Sequence, residues 1–81
     1  MKILYFSAAW CGPCRSLAPI MESLADKIEY EKIDVDENQD LSVKYNVRSI
    51  PALVLVDGAG NELRRLTGAK QADTILNFYQ E

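Results

Sequence analysis

Histidine is absent from the 81 residues. That excludes a Ser-His-Asp triad, a Cys-His dyad, an HExxH metallopeptidase site and any His-bearing zinc finger. Basic charge is also scarce. The 9 Lys and Arg against 12 Asp and Glu give a net charge of −3, so no basic surface for general nucleic-acid binding is expected. There is no run of about 18 apolar residues, so no membrane-spanning helix is expected. Lys2 followed by Ile3-Leu4-Tyr5-Phe6 has the start of a signal peptide. The apolar run is too short, however, and it meets Trp10-Cys11-Gly12-Pro13 in place of a small-residue cleavage site. Trp10 also stands where a lipoprotein signal wants a small residue. The expected compartment is the cytosol, where thiols are kept reduced.

What remains is ordinary globular composition, 48% hydrophobic and 26% charged. The length fits a single domain over residues 1–81. A domain of this size has little stability to spare. Lys2–Ser7 is nearly all apolar and predicts a strand buried on both faces. Pro13 to about Ile28 predicts a helix, with Leu17, Ile20, Met21, Leu24, Ala25 and Ile28 on one face. Pro13 suits its first turn, and Pro19 should kink it. Tyr30–Val35 predicts a second strand, joined to the first by a crossover and therefore parallel to it. Asn38–Tyr45 predicts a short helix and Ala52–Val56 a central strand. Asp57-Gly58-Ala59-Gly60-Asn61 is a turn, Glu62–Thr67 the returning strand, and Lys70 to about Tyr79 a last helix. The order βαβαββα implies an α/β fold: a four-stranded mixed sheet with helices on both faces.

Cys11 and Cys14 are the only cysteines. A bridge across so short a loop adds little by constraining the unfolded chain. A zinc site needs about four ligands, which two thiols without histidine supply only if two chains share them. The remaining reading is a redox pair. Cys11 precedes a helix, whose unpaired N–H groups and positive dipole end favour a thiolate. CxxC motifs so placed commonly lower the first thiol's pKa to about 7 or below. Cys14 lies one turn in and faces inward, while Cys11 is expected to be exposed at the helix start. Cys11 therefore attacks and Cys14 resolves. Gly12 permits the tight turn and Pro13 fixes the backbone there.

Ala8-Ala9-Trp10-Cys11-Gly12-Pro13-Cys14, after an apolar strand and before a helix containing Pro19, resembles the thioredoxin family. The resemblance continues through Val35-Asp36, Leu41–Val47, Arg48-Ser49-Ile50-Pro51-Ala52-Leu53 and Gly68, over nearly the whole chain. It implies the thioredoxin fold without its usual N-terminal strand and helix, in a glutaredoxin-sized version. It implies a thiol-disulfide oxidoreductase that reduces protein disulfides and works as a monomer with no cofactor or metal. A thioredoxin reductase or glutathione would return its electrons. Cys-Gly-Pro-Cys on such a scaffold implies a potential near the thioredoxin value of about −270 mV. Trp10, Gly12, Pro13, Ile50, Pro51 and Gly68 are implied to border the substrate, with Ile50–Pro51 cis. The truncation leaves Tyr30–Val35 as a sheet edge, guarded by Glu29, Glu31 and Lys32.

One position departs from the family. Tyr5 stands where thioredoxins carry a buried aspartate that takes the proton of the resolving cysteine, while Lys32 matches the lysine that accompanies it. Tyr5 is expected in the core. Lys32 is a candidate for proton transfer or electrostatic support, against the alternative of a solvated strand residue. Arg15 is a surface charge or a modest aid to the thiolate. Asp36, Glu37 and Asp40 read as a solvated acidic edge and a helix cap. Two other functions fit the sequence: a glutathione-dependent, glutaredoxin-like enzyme, and a binding subunit or cluster-sharing dimer. Against the first, Trp10 and Gly12-Pro13 replace the glutaredoxin Pro-Tyr, and Gly68-Ala69 lacks their second glycine.

Overall fold

The computed structural model describes residues 1–81. The elements follow the expected order: β1 (Lys2–Ser7), α1 (Gly12–Ser23), β2 (Tyr30–Asp34), α2 (Gln39–Lys44), β3 (Ala52–Val56), β4 (Glu62–Thr67) and α3 (Ala72–Gln80). The four strands form one sheet in the order β2-β1-β3-β4. β1 runs parallel to β2 and antiparallel to β3, and β3 pairs antiparallel with β4. β1 and β3 are central, which explains why both read as continuous apolar runs. β2 is an edge, with Glu31 and Lys32 exposed and Lys2 Nζ 2.8 Å from Glu31 Oε1.

Alternation along the strands sorts the core into two layers. Ile3, Tyr5, Leu53 and Leu55 face one side, where Leu17 and Met21 of α1 and Ile75 and Phe78 of α3 cover them. Leu4, Phe6, Ile33, Ala52, Val54 and Val56 face the other, under Tyr45 and Leu41. The register pairs Tyr5 with Lys32 and Ser7 with Asp34. All four therefore stand on the α1 side of the sheet.

Several boundaries differ from the sequence reading, α2 among them at Gln39–Lys44. α1 stops at Ser23, not near Ile28. From Leu24 the backbone bonds tighten to three-residue spacing: Leu24 N–H donates to the Met21 carbonyl and Ala25 N–H to that of Glu22. The Ser23 hydroxyl donates to the Ile20 carbonyl at 2.6 Å and competes with the helix ladder there. Leu24 and Ile28 are still buried, so the apolar pattern outlives the helix. β2 ends at Asp34, because Asp34 Oδ1 accepts the Asp36 N–H at 2.8 Å and turns the chain. α3 begins at Ala72, after Gln71 as N-cap, and runs on to Gln80.

Candidate active site

The end of β1 delivers the chain to the edge of the sheet at Ser7, and α1 starts at Gly12 with Cys11 as its N-cap. Pro13 occupies the first turn, where its missing N–H removes nothing. Cys11 and Cys14 form a disulfide with Cα atoms 5.2 Å apart. Cys11 Sγ accepts the Cys14 N–H at 3.2 Å, using a donor that the helix leaves free. When the pair is reduced, that donor and the helix dipole both stabilise a Cys11 thiolate.

The exposure expected of Cys11 is not found. Cys11 is 5% exposed and Cys14 3% exposed, so access alone does not separate them. Ala8 and the half-buried Val35 and Ile50 pack around the pair. The distinction rests on position: Cys11 caps the helix at its rim, while Cys14 sits inside α1 against the sheet.

Trp10 is 65% exposed beside the pair. Its Nε1–H donates to Asp36 Oδ2 at 2.9 Å, which holds the indole in place. Asp36 is thus more than a solvated acid. Nor does the acidic stretch cap α2: Asn38 is the N-cap and makes no side-chain cap bond. Arg15 Nε–H donates to the Ala9 carbonyl at 3.2 Å and braces the loop before Cys11.

Opposite the cysteines, the Ile50–Pro51 bond is cis. The Ile50 carbonyl oxygen lies 3.9 Å from Cys11 Sγ. Gly68 takes φ +85°, a conformation glycine adopts freely, and its N–H donates to the Pro51 carbonyl at 2.8 Å. A cavity of about 360 Å³ opens beside the site, walled by Trp10, Val35, Val43, Val47, Arg48 and Ile50 among others. Trp10, Cys11, Gly12, Pro13, Ile50, Pro51 and Gly68 thus gather at one end of the molecule.

Tyr5 lies behind the pair and is fully buried, as expected. Its hydroxyl donates to the Cys14 carbonyl at 3.2 Å. Burial pushes its phenol above the ordinary value of 10, partly opposed by the Ser7 hydroxyl. Lys32 is exposed on β2, level with Tyr5. A second, smaller cavity of about 160 Å³ runs between α1 and the β1–β2 edge; Ser7, Cys14, Lys32 and Asp34 line it. Asp34 was missed in the sequence. Its signal was there: it stands two residues after Lys32 on the same strand, hence on the same face.

Fold and site together define an α/β protein with a dithiol–disulfide pair at a helix N-terminus, facing a cis-proline. The chain belongs to the thioredoxin family, whose model, Thioredoxin, matches residues 1–81. It is similar to Thioredoxin H2 of Arabidopsis thaliana, 43% identical over 74 residues, 88% of this chain and 55% of that protein. It is also similar to the thioredoxin of Chlamydia pneumoniae, 44% identical over 81 residues, 96% of this chain and 78% of that one. Among solved structures, a thioredoxin from Halobacterium salinarum NRC-1 superposes with a TM-score of 0.88 at 38% identity, covering 98% of this chain and 71% of that chain. The chain spans about half the length of the plant relative.

Proposed function

We propose that this protein reduces disulfide bonds in other proteins by dithiol–disulfide exchange. The observation that carries the reading is the Cys11 cap: a sulfur at the start of α1, accepting the Cys14 N–H at 3.2 Å and already paired with Cys14. The Cys11 thiolate attacks one sulfur of a substrate disulfide. A Cys11–substrate bond forms, and the other substrate sulfur leaves as a thiolate. The Cys14 thiolate then attacks Cys11 Sγ. The Cys11–Cys14 bond forms, the second substrate thiolate departs, and two electrons have passed from the cysteine pair to the substrate.

Trp10, Gly12, Pro13 and the Ile50–Pro51 segment border the approach. An extended substrate segment beside Cys11 meets free backbone groups at Ile50 and an apolar wall at Val43 and Val47. The whole chain acts as one domain and as a monomer. It needs no cofactor beyond its own disulfide. A thioredoxin reductase or glutathione returns the electrons, and the chemistry suits the reducing cytosol.

Cys14→Ser tests this directly. The variant should trap substrates as stable mixed disulfides through Cys11, visible as mass-shifted species that dithiothreitol releases. Cys11→Ser should trap none and have no reductase activity. Equal trapping by the two variants, or none by Cys14→Ser, would refute the reading.

A further inference from the structure

Cys14 must lose a proton before it attacks, because only the thiolate is the nucleophile. The cavity behind it offers few acceptors. Tyr5 from β1 is neutral at pH 7, and its hydroxyl already donates to the Cys14 carbonyl. Lys32 on β2 and Arg15 on α1 also line or flank the space. As ammonium and guanidinium they are donors only, with no lone pair to accept a proton. Lys32 therefore supplies charge, not a base. The remaining group is the Asp34 carboxylate.

Resting on the exchange reaction proposed above, we infer that Asp34 is the proton acceptor for Cys14, reached through water held in the 160 Å³ cavity that both residues line. Three features support this. First, Asp34 pairs in register with Ser7 and so stands on the α1 side of the sheet, the side on which Cys14 lies. Second, Asp34 Oδ1 accepts the Asp36 N–H at 2.8 Å, which fixes the carboxylate of a residue that lines the cavity. Third, the space is large enough for several waters, and the Ser7 hydroxyl (in a residue 2% exposed), Lys32 and Asp34 give them partners.

The transfer is balanced. Cys14–SH gives its proton through water to Asp34–COO⁻, leaving a Cys14 thiolate and Asp34–COOH. The thiolate displaces the substrate thiolate from Cys11 as above. Asp34–COOH then returns its proton through the cavity to solvent or to the departing thiolate. The site thus keeps a carboxylate near Cys14, moved from β1 to the edge strand β2.

The test follows the reduced protein reacting with a peptide disulfide by stopped flow, from pH 5.5 to 9, so that attack and resolution are read separately. Asp34→Asn keeps an oxygen for the Asp36 N–H but cannot take a proton. It should form the mixed disulfide at the native rate. It should resolve it at least tenfold more slowly at pH 6–7, with the loss shrinking as pH rises and the thiol ionises unaided. Asp34→Glu should recover much of the rate. Resolution at the native rate in Asp34→Asn across pH 6–8 would overturn the inference and leave the exchange reaction standing. Failure of the native protein to form any mixed disulfide would overturn the exchange reaction itself.

Discussion

Tyr5 occupies the place of greatest chemical interest in the core, and the contact it makes there is a structural one. The buried hydroxyl holds the first turn of α1 to the sheet through the Cys14 carbonyl. Tyr5→Phe should cost about 1 kcal/mol in urea denaturation and leave the resolution rate unchanged. Its raised pKa also sets a pH signature. A folded value above the unfolded value of about 10 contributes stability that is fully present below pH 10 and is lost as pH rises through the folded value. The native protein should therefore lose stability in that alkaline range faster than Tyr5→Phe. Parallel curves would show that the phenol is not held neutral by the fold.

The cysteines, Trp10, Pro51 and Gly68 were legible as single residues, because each belongs to a motif with few other uses. Asp34 and the Trp10–Asp36 bond were not. Each depends on where β2 ends and on its register with β1, set by contacts far apart in sequence. Tyr5 and Lys32 were legible as neighbours only through the resemblance. Which of the two touches Cys14 required the fold.

Among the elements, the central strands were the most readable and α1 the least complete. β3 and β4 fall where the apolar run and the flanking turn put them. The Asp57 carboxylate fastens that turn, with Oδ1 accepting the Ala59 and Asn61 N–H groups at 2.9 Å. In α1, periodicity marks burial and not backbone. Leu24 and Ile28 keep their places in the core although the helix has ended, and a pattern of buried positions cannot distinguish a helix from the turn that follows it. The buried face within the helix is Cys14, Leu17 and Met21. Met21 is wholly buried against the sheet. Met21→Ala should cost about 2–5 kcal/mol in denaturant unfolding, from lost transfer energy and the cavity left behind. A loss below 1 kcal/mol would mean that α1 is not anchored there, and that the position of Cys14 has some other support.

The whole molecule is a thin platform for one site. Its principal extents are 30 × 27 × 17 Å. The fold class and element order were legible because alternating β and α patterns with short links leave few topologies. Each element that matters ends at the same rim: β1 runs into Cys11, α1 begins there, and the cis-proline closes the space from β3. The central claim is that this placement makes one cysteine the nucleophile although both are buried. Timed alkylation of the reduced protein near neutral pH, followed by peptide mapping, tests it most directly. Cys11 should be labelled first, with a rate that rises through a midpoint near or below pH 7. Labelling of Cys14 first, or of both at equal rates with a midpoint near 8.5, the value of an unperturbed thiol, would contradict the account.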